Sequence, residues 1–401
     1  MSPVTCPYCF TVVPRDRIAF RCVGRSGRGP GCAPVLDERL ARYTGRAAAA
    51  SLPPVFSPRR PGRGGKGALA RALRAGAPFG GPAGGGGRSE CPECGRPTGR
   101  RVCPECHNPL PAAYCDTTGR IVALVGAKNA GKSTYIAVLL HELMNRVGTE
   151  LDASLVACDD RTIDRFKRDF ARPLFDERRL LPTTASAATA PREPLVYLLT
   201  RTHTTRSGRD RGMALTLVLF DTAGEDLRSR DVTDLHLRYL EAADAIIFLV
   251  DPHELPGGGS PDSDPIDVIA RVTEVVGGRR GTRRDGRLDV PAAVALTKID
   301  AMLPSMERQS ALHRAPGRSG VLDLDDREAV HEQVRALLHE RQAGQLDLYL
   351  SQHYAHYALF GVSALGGTPN DGRVAGGGVR PYRVEDPLLW LLYRFGMLDG
   401  R

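Results

Sequence analysis

The run Gly126-Ala127-Lys128-Asn129-Ala130-Gly131-Lys132-Ser133 sets glycines, a lysine and a hydroxyl at the offsets of a Walker A phosphate-binding loop. The apolar stretch Ile121 to Val125 precedes it, and a helical pattern from Thr134 to Val147 follows, the strand–loop–helix context such a loop requires. The glycines let successive backbone N–H groups and the following helix N-terminus converge on phosphates. Lys132 is expected to reach the β- and γ-phosphates and Ser133 to ligate Mg²⁺, with Asn129, Ala130 and Thr134 completing the cradle.

Three later motifs fall after apolar, strand-like runs. Asp221-Thr222-Ala223-Gly224 follows Ala214–Phe220; Asp221 can hold Mg²⁺ through a water, and the Gly224 N–H can meet a γ-phosphate because glycine tolerates that backbone approach. Thr297-Lys298-Ile299-Asp300 follows Ala292–Leu296. Ser363 and Ala364 follow the run Ala358–Val362.

In this order, across Arg120 to Leu365, the chain resembles the translation-factor class of P-loop GTPases, which includes Ras-like and Era-like proteins. The resemblance implies an α/β domain with a mostly parallel six-stranded sheet, GTP or GDP as ligand, and Mg²⁺ as cofactor. Thr297, Lys298 and Asp300 match the NKxD guanine element with Thr in place of Asn, so the Asp300 carboxylate would accept from N1–H and the exocyclic amine of guanine, a donor pair that adenine lacks, and Lys298 would lay its stem along the base. Ser363 and Ala364 match the loop whose backbone approaches guanine O6. The first-switch threonine belongs before the strand near Leu195, where Thr184 heads the candidates, followed by Thr183 and then Thr189. Glu225 stands where Ras-like enzymes carry a water-orienting glutamine, so unaided hydrolysis is expected to be slow. On this reading Lys132, Thr184, Gly224 and Glu225 form the catalytic set.

The elements needed to carry these motifs can be traced in the pattern. Strands are expected at Ile121–Val125, Leu195–Thr200, Ala214–Phe220, Ala245–Val250, Ala292–Leu296 and Ala358–Val362. Helices are expected at Asp159–Arg172, Val232–Ala242, Ile266–Val276, Asp325–Arg341 and Asp386–Phe395. Residues 116–401 would form the GTPase domain.

Eight of the ten cysteines lie before residue 107. Cys91, Cys94, Cys103 and Cys106 form two Cys-x-x-Cys knuckles with the spacing of a four-thiolate zinc ribbon over residues 90–115, and Cys6, Cys9, Cys22 and Cys32 suggest a second zinc site over residues 1–44. Both would be structural, because four thiolates leave no open coordination position. Between them, residues 45–89 are rich in Arg, Gly and Pro and read as a flexible linker.

The formal charge is +9, but a good part of the excess lies before residue 90, so the basic balance reads first as a solvated tether and only weakly as a nucleic-acid footprint. No apolar run approaches a membrane span and the N-terminus lacks a signal-peptide core, so a soluble cytoplasmic protein with no membrane contact is expected. The layout of cysteine modules and GTPase domain resembles bacterial double-GTPase families of conflict-type systems. That resemblance implies a regulatory switch working with a second GTPase, an effector or an activating protein. A zinc-ribbon GTPase acting on RNA or ribosomes and a non-hydrolysing GTP-binding module are the alternatives.

Overall fold

A seven-stranded sheet organises Asp116–Arg401. Its strands are β1 (Thr118–Gly126), β2 (Ala153–Ala157), β3 (Leu195–Thr204), β4 (Asp210–Phe220), β5 (Ala245–Val250), β6 (Ala292–Leu296) and β7 (Tyr357–Gly361), in the spatial order β2-β3-β4-β1-β5-β6-β7. The computed structural model describes residues 3–25, 31–44, 51–58, 87–127, 129–182, 193–204, 210–220, 234–255, 265–316 and 320–401. Contacts divide the chain into two units, Met1–Cys115 and Asp116–Arg401.

β1 sits at the centre of the sheet, paired in parallel with β4 on one side and β5 on the other, and β5-β6-β7 continue in parallel. β2-β3 and β3-β4 are antiparallel. The expected six strands are therefore joined by a seventh, β2, at the edge. In β2 only Leu155 is buried, so the strand leaves almost no apolar pattern to read. The inner parallel strands β5 and β6 are apolar along their whole length, as strands covered on both faces are; all six residues of β5 and all five of β6 are buried.

Helix α1 (Lys132–Met144) begins directly after the phosphate loop, and Tyr135 to Leu140 and Leu143 are buried. They pack with Leu195, Tyr197, Leu217 and the C-terminal helix residues Leu388, Trp390 and Leu391. On Asp234–Ala242, the Tyr239 hydroxyl accepts from Leu124 N and donates to Val122 O, both at 3.1 Å, which pins that helix to β1. The expected helix Asp159–Arg172 is realised as Asp160–Arg165 followed by a wide, π-type turn segment Phe166–Asp176. Asp159 caps its start by accepting from Thr162 N at 2.8 Å.

Met1–Cys115 is a set of small antiparallel pairings. Val4–Thr5 pairs with Val12–Val13, Ser89–Glu90 with Pro97–Thr98, and Ala19–Arg21 with both Val55–Phe56 and Arg101–Val102. Arg21, Asp37 and His107 lock this unit from inside: Asp37 takes Arg21 at 2.7 Å and His107 Nδ1 at 2.8 Å. Two expectations are corrected here. Ser51–Leu52 and Val55–Phe56 form strands, so the 45–89 segment is not linker throughout; 45–50 and 59–86 lie outside the described residues. Residues 1–44 and 90–115 are also not separate modules, since Ala19 pairs with Val102 and Phe20 with Arg101.

Candidate functional site

The two glycines of the phosphate loop have distinct jobs. A Cβ on Gly126 would sit 2.6 Å from the carbonyl oxygen of Leu249 on β5, so the end of β1 needs glycine to fit its neighbour. Gly131 turns into α1 at φ +81°, and Asn129 also takes a left-handed conformation at φ +67°. Lys132 is buried, and its Nζ donates to Gly126 O at 2.8 Å and Ala127 O at 2.9 Å, holding the ammonium inside the loop's own curve. Ser133 and Thr134 follow, half-buried at the start of α1. Lys128 lies outside the described residues.

The second element comes from β6. Thr297 N donates to Val250 O at 2.8 Å, which carries the sheet pairing one step beyond the strands. Lys298 then takes φ +53°, and its Nζ reaches Asp251 Oδ2 at 2.6 Å. Asp251 is 4% exposed, and its Oδ1 also accepts from His253 N at 3.0 Å. Ile299 N donates to Val362 O at 3.2 Å, tying this loop to the third element, where Ser363 exchanges two backbone hydrogen bonds with Tyr382 at 2.9 and 2.8 Å. Ser363 Oγ accepts from Gly366 N at 2.9 Å and sets the turn after β7.

All three elements open onto one cavity of about 530 Å³. Asn129, Ala130, Gly131, Lys132, Ser133 and Thr134 line one part of it. Thr297, Lys298, Asp300, Ser363 and Ala364 line another. The cavity lies outside the carboxyl ends of β1, β5, β6 and β7, where parallel sheets present their loops. Tyr135 also lines it; this side chain is 1% exposed, its hydroxyl has no hydrogen-bond partner among the described residues, and burial pushes its pKa well up.

Thr183, Thr184, Thr189, Asp221, Gly224 and Glu225 lie outside the described residues. β4 nevertheless runs to Phe220, in register with Ala123 of β1, so the chain is delivered to the same end of the sheet as the phosphate loop. Asp251, His253 and the residues Leu180, Leu181, Pro182, Thr368 and Pro369 also border the site or its loops and were not anticipated. Asp251 did leave a signal, a lone carboxylate immediately after the apolar run Ala245–Val250.

In Met1–Cys115 the cysteines gather into two four-sulfur groups, but not as the spacing predicts. Cys6 and Cys9 join Cys103 and Cys106, while Cys22 and Cys32 join Cys91 and Cys94, each group with its ligand atoms within 4.8 Å of one another. The pairing follows from strand direction. Ala19–Arg21 and Arg101–Val102 run antiparallel, so Cys22 and Cys103, each just past its strand, leave in opposite directions and cannot serve one ion. Sulfurs about 2.3 Å from a tetrahedral zinc stand about 3.8 Å apart. The Sγ–Sγ separations are 3.7 Å for Cys6–Cys106, Cys9–Cys103 and Cys32–Cys91 and 3.6 Å for Cys22–Cys94, far beyond a disulfide bond. Donors also point at the sulfurs: Tyr8 N and Glu105 N lie 3.4 Å from Cys6 and Cys103 Sγ, and Gly24 N lies 3.3 Å from Cys22 Sγ. The donor set fits zinc.

The chain is similar to the following known proteins. Residues 120–348 match the family model described as Double-GTPase 2. Over 98% of this chain and 99% of the relative, the sequence is 28% identical to a Mycolicibacterium smegmatis (strain ATCC 700084 / mc(2)155) protein described as "Putative ESX-1 scaffolding and assembly protein SaeC". A solved structure of the Arl6 BBS3 small GTPase from Trypanosoma brucei with bound nucleotide analogue GppNp is similar at 16% identity and a TM-score of 0.29, covering 70% of this chain and 100% of that one. The family model spans more than half of the sequence and takes in the phosphate loop, Asp221-to-Gly224 and Thr297-to-Asp300: the chain belongs to the Double-GTPase 2 family.

Proposed function

We propose that this protein is a guanine-nucleotide switch that hydrolyses GTP slowly with Mg²⁺ and acts with protein partners in a multi-component bacterial system. The observation that carries the reading is the shared cavity: the phosphate loop with buried Lys132, the Thr297–Asp300 loop and the Ser363–Ala364 turn all line it. Lys132 and the loop amides bind the β- and γ-phosphates, and Asp300 accepts the two guanine donors while Lys298 covers the base. Ser133 would hold Mg²⁺ with Thr184 and Asp221, and the ion would offset phosphate charge. Asp221 and Gly224 sense the γ-phosphate, and Glu225 in place of a glutamine slows orientation of the attacking water.

The two four-cysteine groups hold one structural zinc each, which supplies folding energy to a unit whose strands, among the described residues, are only two or three residues long. Similarity across nearly the whole length to a protein named for ESX-1 scaffolding and assembly supports protein partners, among them a second GTPase or an effector. Replacing Asp300 with asparagine tests the base assignment, because xanthine carries a carbonyl where guanine carries the exocyclic amine. Asp300→Asn should shift preference from guanine to xanthine nucleotide; unchanged guanine preference would remove Asp300 from base recognition.

A further inference from the structure

Two segments far apart in sequence hold each other beside the nucleotide cavity. Leu180 N donates to Gly372 O at 2.9 Å and Val374 N donates to Arg178 O at 3.0 Å, flanking an antiparallel bridge between Arg179 and Arg373. The loop that supplies Gly372 and Val374 grows out of the Ser363–Ala364 turn. It is fastened at its base by the Ser363–Tyr382 pair and by Arg380 N to Leu365 O at 2.9 Å, and at its tip by the reciprocal Asn370–Arg373 bonds of 3.0 and 2.9 Å. Its base permits only glycine at one point: Gly366 has φ +72°, and a Cβ there would lie 1.8 Å from Arg380 O. Val374 is buried in the core that also holds Tyr135 and Leu174, so the loop is anchored and not merely laid on the surface.

The product of this pairing is a largely apolar wall. Leu180, Leu181 and Pro182 from one segment and Leu365, Thr368 and Pro369 from the other line the same cavity as Lys132 and Asp300. Arg178–Pro182 also leads directly into the stretch that carries Thr183 and Thr184. One backbone-bonded unit thus joins the turn after β7 to the approach of the first switch.

We propose that Arg178–Pro182 and Asn370–Val374 form a clasp that retains bound nucleotide, so that its integrity sets the rate of nucleotide release. The inference rests on the guanine-nucleotide reading above. An apolar wall contributes by covering ligand surface that would otherwise meet water. A loss of such cover is read mainly in the dissociation rate, since changes within one interface act chiefly there. Filling the cavity should in turn steady the two hydrogen bonds that hold the wall together.

The test uses the full-length, zinc-loaded protein with Mg²⁺ and a fluorescent GDP analogue, chased with excess GDP. The double variant Leu180→Ala/Leu181→Ala strips the wall while leaving its backbone pairing, and Gly366→Ala strains the base of the loop. Each should release the analogue about tenfold or more faster than the parent while keeping preference for guanine over adenine nucleotide. In the unaltered protein, GDP should slow amide hydrogen exchange at Leu180 and Val374, a readout that does not depend on any variant folding. Failure of the parent to bind GDP would overturn the guanine reading itself. GDP binding with release unchanged in Leu180→Ala/Leu181→Ala, or with exchange at Leu180 and Val374 unmoved, would overturn the clasp alone.

Discussion

Lys298 and Asp251 meet at 2.6 Å, and the same carboxylate accepts from the backbone N–H of His253, so one buried acid at the end of β5 positions the lysine expected to cover the base. The Lys298 side chain is 46% exposed, and solvent screens the pair. Asp251→Ala should therefore weaken GDP binding by about three- to tenfold, not abolish it. Asp251→Asn retains an acceptor for His253 and should lose less than the alanine variant. Equal affinities for the parent and Asp251→Ala, measured by titration calorimetry, would show that this contact does not position Lys298.

Cross-pairing of the cysteines gives zinc contents that local pairing cannot. Cys91→Ser combined with Cys103→Ser removes one ligand from each group and should leave the protein without tightly held zinc, whereas a single ribbon of Cys91, Cys94, Cys103 and Cys106 would lose only one ion. Cys6→Ser combined with Cys103→Ser damages one group and should leave about one zinc per chain on the usual four-thiolate stoichiometry. Metal analysis of the two double variants distinguishes the arrangements.

His331 sets a pH dependence. Its Nδ1 accepts from Leu359 N at 3.0 Å, which only the neutral ring can do with that nitrogen, and burial lowers its pKa from the ordinary 6.5. Glu328, Glu332 and Asp347 oppose the shift and Arg327 adds to it. With the folded pKa below the unfolded one, the unfolded chain binds more protons in the window between them, so stability rises with pH across it. The contribution is complete above about 6.5 and is lost as pH falls through the window. Urea midpoints between pH 5 and 8 should fall on acidification, and His331→Leu should flatten that slope while lowering the midpoint at pH 8, because Leu359 N loses its acceptor. An identical slope in the variant would assign the pH dependence to other groups.

Turnover tests the position after Gly224. Glu225→Gln should leave GTP affinity nearly unchanged while altering the single-turnover rate, and a partner supplying a cation could raise that rate by roughly a thousandfold or more. Fast multiple turnover by the parent protein, undiminished in Glu225→Ala, would place the catalytic group elsewhere.

The loops that line the cavity were legible because their residues are contiguous: Gly126 to Ser133 and Thr297 to Asp300 are each written in one run, and each follows a buried strand. What escaped depends on partners distant in sequence. The cysteine grouping is dictated by the Ala19–Arg21 and Arg101–Val102 pairing, and knuckle spacing carries no information about it. β2 escaped because an edge strand with one buried residue has no alternation, and Gly344–His353 because it is entered without a side-chain cap. Pro265–Arg280 runs past the expected end at Val276 through Gly277 and Gly278, and Val272 and Val276 bury the helix against its neighbours. The clasp rests on backbone hydrogen bonds between Arg178–Leu180 and Gly372–Val374, which side-chain identity does not announce.

Competition binding tests the central claim most directly. The full-length protein with Mg²⁺ is titrated with a fluorescent GDP analogue, and GTP, GDP and ATP are each used to displace it. The arrangement of Lys132, Lys298 and Asp300 around one cavity predicts displacement by GTP and GDP at concentrations at least about a hundredfold below those needed for ATP, and loss of binding in Lys132→Ala. Displacement by ATP as readily as by GTP, or binding undiminished in Lys132→Ala, would contradict it.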